Sequence, residues 1–82
     1  MLKPIKIVID EIYVPIKWKN TLEPEKVDTI AESILEEGQK TPIHIRKGDG
    51  RYVLVSGYHR IEAVKALGEA EIDAIVVGSK KF

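Results

Sequence analysis

Apolar residues along this chain fall into two kinds of run, short alternating or continuous stretches and stretches at helical spacing. Ile5 to Ile9 predicts a first strand, with Pro4 fixing where it starts. Ile12 to Ile16 predicts a second short extended piece, interrupted by Pro15. Val27, Ile30, Ala31, Ile34 and Leu35 then recur at i, i+3, i+4, i+7 and i+8, which predicts an amphipathic helix with one apolar stripe. Pro24 suits the first position of that helix, the Glu23 carboxylate can cap it, and Gly38 ends it. From Ile43 to Arg46 the pattern alternates, so Ile43 and Ile45 should face the core and His44 and Arg46 the solvent. Lys47-Gly48-Asp49-Gly50 reads as a hairpin turn, and Tyr52 to Val55 as a buried strand.

Ser56 and Gly57 break that strand, and a helix starts at Tyr58 or His59. Ile61, Ala63, Val64, Ala66 and Leu67 cover most of its circumference and leave Glu62 and Lys65 polar. Gly68 is placed to end it in a left-handed conformation. Ile72 to Val77 predicts a last strand, and Lys80, Lys81 and Phe82 a short tail. The expected fold is a small mixed α/β (α+β) single domain over residues 1–82, with four or five strands and two main helices.

Composition narrows the function. A chain of 82 residues with 44% hydrophobic content supports one compact core. It has no cysteine, so disulfides, thiol catalysis and cysteine-ligated metals are excluded. Thirteen Lys and Arg balance 13 Asp and Glu, so no bulk positive charge draws in nucleic acid. No apolar segment reaches membrane-spanning length and the start lacks a secretion signal's hydrophobic region, so a soluble cytoplasmic protein is expected.

The candidate chemistry lies in Ser56-Gly57-Tyr58-His59-Arg60. A strand, a glycine turn and a helix opening on His-Arg suit an anion, because first-turn N–H groups and the positive end of the helix dipole face it. Gly57 lets a ligand approach the backbone, and His59 and Arg60 add donors matched to phosphate oxygens. Lys26, Thr29 and Ser33 share one flank of the first helix; they are either a solvated flank or the lining of a phosphate or ribose site. Lys17-Trp18-Lys19-Asn20 is either a loop whose Trp18 covers the core edge or a wall of a ligand site. Glu62 is either solvated or placed to polarise water.

The order Leu-Glu-Pro-Glu-Lys-Val, amphipathic helix, Thr41-Pro42-Ile43 strand, glycine hairpin, strand, Gly57-Tyr58-His59-Arg60, helix, Ala-Leu-Gly, strand resembles the ParB/sulfiredoxin superfamily over roughly residues 5 to 78. Sulfiredoxins carry Gly-Cys-His-Arg at this turn, partition proteins of the ParB type Gly-Glu-Arg-Arg, and an ADP-dependent free-serine kinase Gly-His-His-Arg. The resemblance implies a nucleotide whose phosphates rest on Gly57, Tyr58, His59 and Arg60, with Lys26, Thr29 and Ser33 along the first helix and Thr41 and Pro42 at the floor. Tyr58 replaces the sulfiredoxin cysteine, so thiol-based sulfinic acid repair is excluded. The glutamate of the ParB turn is also absent, and the kinase's glutamate base has no counterpart in Lys19-Asn20-Thr21, with Glu23 nearest.

These features lead to the expectation of an adenine-nucleotide domain taking ATP or ADP. Mg²⁺ would be held by phosphate oxygens and water, with no metal-ligating side chains of the protein. His59 and Arg60 are the expected catalytic groups for slow hydrolysis or for transfer to a small hydroxyl acceptor. The alternative is a non-catalytic ParB-like module in which nucleotide acts as a switch for DNA partition or protein interaction. Nucleic acid is not an expected partner without a further domain.

Overall fold

The computed structural model describes residues 3–78, so the Lys80-Lys81-Phe82 tail lies outside the described residues. The chain forms β1 (Ile5–Val8), a 3-10 turn (Ile9–Glu11), β2 (Ile12–Tyr13), a one-turn helix α1 (Ile16–Lys19), α2 (Pro24–Glu37), β3 (Ile43–Lys47), β4 (Tyr52–Ser56), α3 (Tyr58–Ala66) and β5 (Glu71–Val76). The expected mixed α/β class, with five strands and two main helices, is the observed one. Differences concentrate in the first quarter of the chain. Ile9 belongs to the 3-10 turn rather than to β1, and Ile16 opens α1 rather than ending an extended piece. Pro15 explains the second difference, since its fixed φ ends the strand and sits at the N-cap of α1.

The five strands lie in the order β1-β5-β3-β4-β2. β1 runs antiparallel to β5, β5 parallel to β3, β3 antiparallel to β4, and β4 parallel to β2. Since β4 and β5 flank β3, the β4-α3-β5 connection carries α3 across β3. Tyr58, Ile61 and Val64 of α3 therefore join Ile43, Ile45, Leu54, Ile72 and Ala74 of the sheet in one core. Ile43, Ile45, Ile61 and Ile72 are essentially sealed from water, each worth roughly 1.5–3 kcal/mol of burial. Around α3, Ala66 is exposed where the helical pattern placed it among the apolar positions.

Two features fix the strand ends that frame the site. His44 pairs with Ser56 while Ile45 pairs with Leu54, so Val55 is the extra residue of a bulge. That bulge turns Val55 outward, against the expectation of a continuously buried strand, and re-aims the last residues of β4 toward the turn. Just before β3, beside β5, the Gln39 amide acts as a strand residue would. Its Oε1 accepts from Asp73 N–H at 2.9 Å, and its Nε2 donates to the Asp73 carbonyl at 3.0 Å. The same Nε2 reaches the Thr41 carbonyl at 3.0 Å, which fixes the approach to β3.

α2 lies on α3 through a half-buried face of Val27, Ile30, Ala31 and Ile34. Leu35, counted by spacing as part of the stripe, is 73% exposed, because α2 rests on a single helix and only one side of its stripe is covered. Trp18 is half-buried against the core, with Lys17 Nζ 5.7 Å from its ring centre and its own indole N–H buried without a partner. That placement favours the core-edge reading of this segment, in a helical turn rather than a loop.

Candidate functional site

The turn begins with Gly57 at φ 107° and ψ 28°, a left-handed conformation that closes β4 and serves as N-cap of α3. A Cβ here would lie 2.5 Å from Ile43 Cγ2 and 2.9 Å from Ile43 Cβ. Glycine is therefore demanded by the backbone angle and by β3, whatever a ligand requires. The first helical bond of α3 runs from Ile61 N–H to the Gly57 carbonyl at 2.9 Å, so the N–H groups of Tyr58, His59 and Arg60 precede the ladder. No side chain caps them.

The three side chains of the turn diverge. Tyr58 packs its ring into the core at 7% exposure, so what it can offer the turn is its N–H. His59 and Arg60 are half-buried, with the His59 ring 6.0 Å from Tyr58 and tilted by 59°. Among the described residues Arg60 pairs with no carboxylate.

His59 reaches across to α2. Its Nε2 accepts the backbone N–H of Glu23 at 3.0 Å, which brings the N-termini of α2 and α3 together. An accepting Nε2 in a neutral imidazole leaves the proton on Nδ1. The Glu23 carboxylate does not cap α2 as its position suggested; it pairs with Lys26 at 3.2 Å. The Lys26 ammonium takes the carboxylate, the Lys26 N–H is already bonded to the Glu23 carbonyl at 2.9 Å, and His59 takes the Glu23 N–H. Sequence pattern could not supply this link, because it joins residues 36 apart through a backbone group.

Lys26 is exposed on the near turn of α2 and lines a shallow groove of about 360 Å³ with Glu25, Thr29 and Ile30. The Thr29 hydroxyl donates back to the Glu25 carbonyl at 3.0 Å, so an incoming ligand would have to redirect it. Ser33 is exposed on the same helix, about 10 Å beyond Lys26 along the axis. Thr41 is exposed and Pro42 half-buried at the start of β3.

Glu62 sits apart from this face. It pairs with Lys65 at 3.4 Å and lines, with Tyr58, Ile61, Asp10 and Lys19, a groove of about 410 Å³ against the β1–β2 segment. A further cavity, about 720 Å³, is elsewhere again, between the 3-10 turn, β2 and the β3–β4 hairpin. There the Arg51 guanidinium stacks 3.9 Å above the Tyr13 ring. Among the described residues no three His, Asp or Glu side chains gather to hold a metal ion. No described helix is long and apolar enough to cross a membrane.

A family model described as the ParB N-terminal domain matches residues 3–81. A probable chromosome-partitioning protein ParB of Campylobacter jejuni is 38% identical over 71 residues, 85% of this chain and 26% of that protein. A nucleoid occlusion protein of Geobacillus kaustophilus is 35% identical over 74 residues, 89% of this chain and 25% of the relative. The chain thus spans about a quarter of the length of the curated relatives it matches. Among solved structures, sulfiredoxin of Arabidopsis thaliana superposes with a TM-score of 0.84 and 27% identity, covering 94% of this chain and 86% of that one. A C-terminally truncated ParB of Caulobacter crescentus complexed with CTP-γ-S gives a TM-score of 0.78 at 23% identity, covering 96% and 46%. A free serine kinase in complex with AMP gives 0.75 at 20%, covering 93% and 31%. At those last two identities the likeness is one of fold.

Proposed function

The chain belongs to the ParB N-terminal domain family, and from that premise we propose that it is a nucleotide-responsive switch module. On this reading the phosphates rest on the first-turn N–H groups of α3, with Arg60 and His59 as side-chain donors and Lys26 across from them. The observation that carries it is Arg60: half-buried, with no carboxylate partner among the described residues, it stands beside the first-turn N–H groups of α3, an arrangement that suits an anion. Gly57 sets the turn, and Thr29, Ser33, Thr41 and Pro42 belong to the rim of the same site. Mg²⁺ would ride on phosphate oxygens and water, since the described residues gather no ligand set of their own. CTP is the first candidate, because the family relative of this fold is complexed with CTP-γ-S. Partition or nucleoid occlusion would be the work of a longer protein or assembly in the cytoplasm, with this domain reporting the nucleotide.

The second reading is an adenine-nucleotide hydrolase or phosphotransferase with His59 and Arg60 as catalytic groups. It is favoured by the Gly57-Tyr58-His59-Arg60 turn, which is closer to the sulfiredoxin form than to the ParB form. Against it, Glu62 lines another groove and is engaged by Lys65, and the carboxylate nearest the turn among the described residues, that of Glu23, is paired with Lys26.

One thermal-shift panel with CTP, ATP, ADP, AMP and GTP, each with Mg²⁺, separates these readings when followed by phosphate-release assays. Ligand at a hundred times its dissociation constant should stabilise the fold by about 2.7 kcal/mol. CTP stabilisation without release supports the switch. Release from ATP that is lost in His59→Ala or Arg60→Ala supports the enzyme. No stabilisation by any nucleotide removes the site.

A further inference from the structure

Phosphate oxygens only accept hydrogen bonds, so a phosphate site must keep donors free. Here two of the proposed side chains are already engaged by one residue. Lys26 Nζ is paired with the Glu23 carboxylate at 3.2 Å, and His59 Nε2 accepts the Glu23 N–H at 3.0 Å. Toward α2, His59 therefore presents a lone pair, which a phosphate oxygen would meet as repulsion. Both contacts come from the N-cap position of α2, whose carboxylate makes no cap.

We propose that Glu23 is a resident anion that sets the affinity of the phosphate site, holding Lys26 by its carboxylate and His59 by its N–H until a ligand displaces it. The inference rests on the nucleotide reading above and names what regulates that site. A ligand must draw Lys26 from the carboxylate, use the His59 Nδ1–H or, on the α2 side, displace the Glu23 N–H from Nε2, and bring its own negative charge past Glu23. The penalty grows with the charge of the ligand, so removing the Glu23 charge benefits a triphosphate more than a monophosphate. Glu25 is the control. It lies two positions on with the same charge but makes no ion pair with Lys26.

The test is calorimetric titration of Mg²⁺-CTP, CMP and inorganic tripolyphosphate into wild type, Glu23→Gln, Glu25→Gln, Lys26→Ala and the Glu23→Gln/Lys26→Ala pair. Glu23→Gln should bind CTP and tripolyphosphate up to about fivefold more tightly, an effect of exposed-charge size that shrinks above about 0.15 M salt. CMP should gain less, Glu25→Gln should gain little, and the gain should vanish when Lys26 is absent. Unchanged or weaker binding in Glu23→Gln overturns the inference, as does an equal gain in Glu25→Gln or one that survives loss of Lys26. If wild type binds and only the gain is missing, the nucleotide reading stands without Glu23. Silence from wild type and every variant removes both.

Discussion

Arg60 occupies the first turn of α3, half-buried, with its guanidinium unmatched by any carboxylate among the described residues. Arg60→Ala should leave the fold intact and weaken nucleotide binding by about 1.5–3 kcal/mol, the range for hydrogen bonds to a charged group. A folded variant with unchanged affinity by calorimetry would take the clamp out of the site. Lys6 offers a pH test instead. A hydrogen bond to Asp73 at 2.9 Å and that carboxylate's charge, helped by Glu71 and Glu69, raise the Lys6 pKa above the ordinary lysine value. A raised folded-state pKa stabilises the fold below the unfolded value, and that stability is lost as pH rises through the folded one. Wild type should therefore lose stability faster than Lys6→Met in urea melts taken from about pH 9 upward; parallel curves would mean that the pair is inert. At this scale the sequence told residue types but not partners. Gly68 was legible as a left-handed position because few other residues adopt it, whereas Gly57 was legible only as the break before α3. The Glu23 carboxylate was misread as a cap because Lys26, three residues on, competes for it, and the His59 contact to the Glu23 N–H exists only after folding.

Helices α2 and α3 followed from spacing, since a period repeated over several turns identifies itself. The bulge at Val55 did not, because register is a relation between two strands and is written in neither alone. Gln39 escaped for the same reason, its amide serving as a substitute strand beside Asp73. The bulge and the turn act together: one re-aims the end of β4, and the other demands a residue without a side chain over Ile43. Gly57→Ala should destabilise by about 2–5 kcal/mol, combining the left-handed backbone penalty with overpacking against β3. Thermal or urea unfolding measures it. A loss under about 1 kcal/mol would mean that β4 can relax away from β3 at small cost.

Across the whole molecule, class and strand number were legible while strand order was not, because pairing β5 between β1 and β3 depends on contacts far apart in the chain. That order leaves the sheet open, with β1 at one border and its outer backbone groups unpaired by any described strand. Ile5 and Val8 on that border are 45% and 39% exposed, and only Lys6 interrupts the apolar run at the strand's middle. A bare, apolar border of this kind is a template for end-on growth into fibrils, and a lysine within it is the usual guard. On that principle Lys6 would hinder edge-to-edge pairing of one molecule's sheet with the next whether or not Asp73 is charged. Lys6→Ile should shorten the lag before thioflavin fluorescence appears in shaken, concentrated samples, while Asp73→Asn, which breaks the same ion pair but keeps the lysine, should not.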